Sequence, residues 1–132
     1  MVKEILYEKN ASLVVMFKNG EIKEFYNRRV TDIVYLLREN ADSLNGAVVA
    51  DKVIGKAAAS LLAVGGIKQL YADTISEYAL EVLKNNSIKY DYKNKVDYIM
   101  NNQKSGMCPM EERFKEEKNL EIIYNYFVNN TN

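Results

Sequence analysis

The chain has no histidine and no tryptophan, and only one cysteine and one proline among its 132 residues. Each absence removes a chemistry. Without histidine, no Ser-His-Asp or Cys-His relay forms within the chain. A single thiol makes neither an intrachain disulfide nor a thiolate-rich zinc site, so no metal and no cofactor is assigned. An excess of charge of one sign is also missing: 18 basic side chains face 18 acidic ones. No window reads as a basic stripe, and nucleic acid is not an expected partner. Long hydrophobic runs are missing too. The most apolar stretch, 47–67, is interrupted by Asp51, Lys52 and Lys56 and falls short of the ~20 residues a membrane span needs. The opening MVKEILYEKN has neither an apolar signal core nor a small-residue cleavage site. A lone thiol suits a reducing compartment, so a cytoplasmic protein is expected.

What is present is enough for a core: 48% of the residues are hydrophobic, at a length typical of one domain. The apolar run SLVVMF (Ser12 to Phe17) predicts a strand covered on both faces. Asn19-Gly20 then suits a two-residue hairpin turn leading into a second strand, Glu21 to Tyr26. The segment Glu4 to Glu8 is ambiguous. Val30, Ile33, Val34, Leu37 and Ala41 recur at helical spacing, predicting a helix over Arg28 to Asn40 capped by Asn27 or Thr31. Gly46 opens the short strand AVVA, and a helical stripe from Ile54 to Leu62 stops at Gly65-Gly66. Ile67 to Asp73 reads as a strand, and Thr74-Ile75-Ser76-Glu77 as the capping box of the next helix. Ile88, Tyr90 and Tyr92 alternate with charged residues, as on an edge strand. The order β-β-α-β-α-β-α-β predicts a three-layer α-β-α fold with a mixed five-stranded sheet. It forms one domain over 1–132, in which 93–132 is a C-terminal helical extension with a helix starting at Pro109.

Two places carry side chains suited to chemistry. The first is Asp51, Lys52, Gly55 and Lys56, where a strand's carboxyl end meets a helix start. Such an edge favours anions, and lysines four apart on one helix face would neutralise a phosphate or carboxylate. The same residues also read as scaffold, with Asp51 capping the helix, Gly55 permitting close packing and both lysines solvated. Gly55-Lys56-Ala57 is no Walker sequence. The second place is Gly106 to Glu112, with Cys108 ahead of Pro109. A thiol at a helix start makes a nucleophile in some settings, but Glu111 and Glu112 oppose the thiolate, and a free cysteine also serves as a small buried hydrophobe. Glu111 reads either as a proton carrier or as plain first-turn helix chemistry.

Through ADKVIGKAAA (Ala50 to Ala59) and GMCPME (Gly106 to Glu111), the chain resembles a small bacterial domain family of unknown function grouped with the cytidine-deaminase-like fold. The resemblance implies a fold without a known reaction. Zinc deaminases need a His or Cys at one helix start and two Cys at the next, with a neighbouring Glu as proton shuttle. Here those starts hold Asn27, Arg28, Arg29 and Val30, and Asp51, Lys52 and Val53, so the resemblance implies a deaminase scaffold without its zinc. Arg28 or Arg29 would then reach an anion over the vacant pocket, or both are solvated.

The leading expectation is a metal-free protein binding a small anionic, nucleotide-like ligand, such as a nucleotide or an ADP-ribose. Asp51, Lys52, Gly55, Lys56 and Arg28 would hold the ligand, with Cys108 and Glu111 closing the pocket. One alternative is an enzyme with Cys108 as nucleophile and Glu111 beside it. Another is an assembly module whose apolar face of Leu120, Ile123, Tyr126 and Phe127 meets a second copy in a homodimer.

Overall fold

In the computed structural model, residues 1–129 are described. The chain opens with a helix, α1 (Val2–Glu8), followed by the hairpin β1 (Leu13–Met16) and β2 (Ile22–Phe25). Then come α2 (Thr31–Glu39), β3 (Val48–Ile54), α3 (Lys56–Val64), β4 (Gln69–Ser76), α4 (Glu77–Asn85) and β5 (Lys89–Val96). After the sheet come α5 (Pro109–Phe114), α6 (Leu120–Tyr124) and a π-helical turn, Asn125–Asn129. The expected extension 93–132 therefore shares its first residues with β5, and 130–132 lie outside the described residues. Among the described residues, no helix is long and apolar enough to cross a membrane.

The sheet has the order β2-β1-β3-β4-β5. β1 runs antiparallel to both neighbours, while β3, β4 and β5 are parallel. The continuous apolar run of β1 follows from this central place. Leu13 and Val15 face a core shared with α2, α3 and α4, and Val14 faces a smaller core beneath α1. β5 is an edge strand, as expected, but its alternation holds only in part: Tyr90 packs against the main core, while Tyr92 is exposed along with Lys89, Asp91 and Lys93.

One open segment is settled and three local expectations are corrected. The ambiguous N-terminal segment is helical because Val2 and Leu6, one turn apart, are both buried in the α1-side core. Seven residues are too few for that period to declare itself in sequence. The β1–β2 connection has three residues, since Phe17 N–H donates to Glu21 O at 2.8 Å. Only Gly20 has positive φ, +93°, the geometry of a type I turn with a glycine bulge. The α4 cap is Ser76, whose side chain accepts from Ala79 N–H, and Thr74 lies within β4. Finally, α2 starts at Thr31 without a side-chain cap, because the first-turn carboxyl of Asp32 accepts from Asn27 N–H and Nδ2–H instead.

α3 is the structural centre of the helical layer. Leu61 and Leu62 are fully buried, and its end is closed at Gly66, φ +81°. There Gly66 N–H donates to Ala63 O, and Ile67 N–H donates to Leu62 O, the Schellman pattern that the glycine pair predicts. On the outer side of α3, Ala57, Phe114 and Ile123 form a small apolar cluster that seats α5 and α6.

Candidate functional site

A cavity of about 350 Å³ opens where β3 runs into α3, at the carboxyl end of a parallel strand. Asp51, Lys52, Gly55, Lys56, Arg28, Cys108 and Glu111 all contribute to its walls. The fold thus brings two stretches separated by some fifty residues to one place. Val30, Val53, Ile99, Met100 and Met110 supply apolar surface, and Ser12, Asn27, Arg29 and Asn102 add polar groups.

The residues do not all act as their spacing suggests. Asp51 is no helix cap: it sits inside β3, opposite Leu13 and Ala72, and the N-cap of α3 is Gly55. Lys52 and Lys56 share no helix face, since Lys52 is still in the strand. Lys52 Nζ donates to Asn10 Oδ1 at 2.6 Å. Lys56 is buried and its Nζ reaches Lys115 O at 3.4 Å, while burial lowers its pKa from the ordinary lysine value. The strand continues four residues beyond the apolar run AVVA, to Ile54, and strand geometry sends neighbouring side chains to opposite faces.

The first free N–H at the start of α3, that of Lys56, is already taken. Glu111, only 2% exposed, accepts from Lys56 N–H through Oε1 at 2.6 Å and from Ile99 N–H through Oε2 at 2.9 Å. Its carboxyl group is therefore the cap of α3, delivered from α5, and it also pins the chain that forms the far wall. Gly55 makes this approach possible, because a Cβ there would stand 3.0 Å from Glu111 Oε1 and 3.1 Å from Ile99 Cγ1.

Of the two adjacent arginines, Arg29 is the one that spans the cavity mouth. Its backbone is left-handed, φ +59°, which costs a non-glycine residue about 1–2 kcal/mol. Its guanidinium donates to Cys108 Sγ at 3.0 Å and to Asn102 Oδ1 at 2.7 Å. Among the described residues, the ion pairs include neither Arg28 nor Arg29. Cys108 is buried, and its N–H donates to Ile99 O at 2.7 Å.

Asp51 is a second buried acid on the cavity wall. It is 6% exposed, and Val53 N–H donates to its Oδ1 at 3.2 Å. Burial pushes its pKa well above the ordinary aspartate value, and the charge of nearby Asp32 adds to the rise. The residue patterns did not single out Asp32, Ile99 or Asn102. Asp32 shows only as first-turn helix chemistry, and Ile99 and Asn102 sit in an irregular segment without periodicity.

Fold and site together define an α/β domain with a mixed five-stranded sheet and a cavity of small-ligand size, walled on one side by a C-terminal extension. The chain belongs to the family TM1506, a domain of unknown function (DUF1893), whose profile matches residues 1–130. It is similar to the crystal structure of a DUF1893 family protein (TM1506) from Thermotoga maritima, with 28% identity and a TM-score of 0.84 over 94% of this chain and 83% of that one. A diaminohydroxyphosphoribosylaminopyrimidine deaminase/5-amino-6-(5-phosphoribosylamino)uracil reductase from the same organism is 16% identical, with a TM-score of 0.43 over 87% of this chain and 33% of that one. No curated protein matches the chain.

Proposed function

We propose that this protein binds a small anionic, nucleotide-like molecule in the cavity between β3, α3 and the C-terminal extension. The observation that carries this reading is the guanidinium of Arg29, held at the mouth by a strained backbone and bonded to a thiol and an amide rather than a carboxylate. A guanidinium so placed is a ready partner for a phosphate or carboxylate, and Arg28 stands beside it. The cavity volume lies within the range of ~300–1,000 Å³ usual for small-ligand sites. The apolar walls suit the body of such a molecule. A cytidine-deaminase-like reading of the fold supports the location, since it would place the functional pocket between the starts of α2 and α3.

Native mass spectrometry and thermal-shift measurements with AMP, UMP and ADP-ribose test the proposal. The expected result is a bound mass and a raised melting temperature, both lost in Arg29→Ala. No bound mass and no shift with any of these ligands would overturn it.

A second reading, with Cys108 as a nucleophile, is favoured by the 3.0 Å hydrogen bond from Arg29 to its sulfur. It requires rapid stoichiometric labelling of the folded protein by iodoacetamide at neutral pH, and an inert Cys108 would remove it.

A further inference from the structure

Between β5 and α5 the chain doubles back on itself over 99–108, and this small hairpin walls the cavity with Ile99, Met100, Asn102 and Cys108. It is closed by its own backbone. Cys108 N–H donates to Ile99 O at 2.7 Å, Asn101 N–H to Gly106 O at 2.9 Å and Lys104 N–H to Asn101 O at 3.0 Å, with Met100 bridged to Met107. Asn101 and Ser105 tie the tip through two further bonds, at 3.1 Å and 3.0 Å. Only Ile99 and Cys108, at the base, are buried, and neither joins a core cluster among the described residues. Residues 102–105 are exposed. Beyond its continuation into α5, side chains fasten the hairpin in two places. At the base, Glu111 Oε2 accepts from Ile99 N–H at 2.9 Å. At the mouth, Arg29 donates to Cys108 Sγ at 3.0 Å and to Asn102 Oδ1 at 2.7 Å.

The two fastenings differ in strength. Glu111 is a buried carboxylate, whereas the latch at the mouth joins a guanidinium to a thiol, a weak acceptor, and to the neutral amide of an exposed residue. A phosphate or carboxylate takes two N–H groups of one guanidinium in charge-assisted bonds, which are stronger than bonds to neutral acceptors. Both terminal nitrogens of Arg29 already donate to the hairpin. We propose that 99–108 is a flap latched by Arg29, and that the flap and an incoming anion compete for that guanidinium. Without an anion, Arg29 holds Asn102 and the flap stays down. When an anion takes the guanidinium, Asn102 loses its partner and the flap loosens about its base at Ile99 and Glu111. The latch is thus an autoinhibitory contact: it lowers the apparent affinity of the site by the fraction of molecules whose Arg29 is free. Anion and latch weaken each other by the same factor. This rests on the small-anion reading above and adds what controls access to it.

Two measurements on the full chain test this, with melting curves as the folding control. The first is hydrogen exchange without ligand. A two-stranded hairpin released from its support is marginally stable, so Asn102→Ala should quicken exchange at the amides of Asn101, Lys104 and Cys108 while β3 and β4 keep their protection. Asn102→Asp offers Arg29 a charged acceptor and should slow the same amides. Unchanged exchange in both variants would overturn the latch whatever the site binds. The second is calorimetric titration with AMP, UMP and ADP-ribose. Asn102→Ala should bind the ligand that wild type binds about fivefold more tightly, the contribution of one exposed hydrogen bond, although it removes a residue from the cavity wall. That ligand should also quicken exchange of the flap amides in wild type. Equal or weaker binding by Asn102→Ala, or a flap that the ligand protects, would overturn the competition and leave the small-anion reading standing. Binding of none of the three ligands by wild type or variant would overturn both.

Discussion

On one side of the cavity stand Asp51, Gly55 and Lys56, carried by β3 and α3; on the other stand Ile99, Cys108 and Glu111, carried by the chain after β5. β3 is paired with β4 from Val48 to Ile54 and with β1 from Val48 to Asp51, and α3 buries Leu61 and Leu62 completely. The opposite wall has little regular structure between Val96 and Pro109 beyond a bridge between Met100 and Met107. It is fastened by side chains: Glu111 to two backbone N–H groups, and Arg29 to Cys108 and Asn102. The inner wall is thus held by the main core, and the outer wall by the small apolar cluster around Phe114 and a few directed contacts. A cavity built this way is expected to have a rigid inner wall and a cover with its own, lower stability.

That contrast predicts a graded series of effects. Leu61→Ala should cost about 3–5 kcal/mol by opening a cavity in the core. Urea unfolding should show one transition moved to lower denaturant, with both walls lost together. Glu111→Ala comes next, at about 2–4 kcal/mol, because two buried N–H groups lose their acceptor. Hydrogen exchange should place its effect on residues 97–112 and the first turn of α3, and equal loss of protection throughout β3 and β4 would show that the walls are not separable. Gly55→Ala should cost about 1–2 kcal/mol through the crowding of Glu111 and Ile99. It should loosen the same outer segment, and an unchanged exchange pattern there would remove the claim that Gly55 makes room for Glu111.

The remaining effect is a slope with pH, and it belongs to the inner wall. Asp51 keeps its proton in the folded state at pH values where the unfolded chain has already released one. The native state therefore binds more protons, and stability falls as the pH rises from the ordinary aspartate value through the raised one, then levels off. Asp51→Asn should flatten that dependence and leave the protein more stable than wild type above the window. Urea midpoints measured from pH 4 to 8 check this, and parallel curves for the two proteins would contradict it.

Much of the fold was legible in the residue pattern because it depends on local period and punctuation. The both-faces-apolar run of β1, the glycine stop of α3 and the wet alternation of β5 all follow from short stretches read alone. The site was legible as two clusters expected to meet in one pocket, but not in the contacts that join them. Nothing in the spacing of Glu111 indicates that it caps a helix beginning at Lys56, since the contact joins residues that only the packing of α5 on α3 brings together. The same holds for Arg29, whose aim depends on a left-handed backbone at a residue type that ordinarily avoids it. Lys52 shows the opposite failure: four-residue spacing pairs it with Lys56 on a helix, but the strand extends through it, and its ammonium group ends on Asn10.

Composition determined which chemistries this chain excludes, because the absence of histidine and the scarcity of thiols hold in any conformation. Hydrophobic period determined the mixed α/β sheet, because burying an apolar stripe is a local demand repeated along the chain. The tertiary structure alone decided which charges face the cavity, which are spent on capping and which acid loses its water. Those outcomes depend on distances between elements far apart in sequence, and electrostatics and hydrogen bonding change sharply over a few ångströms in a poorly solvated site.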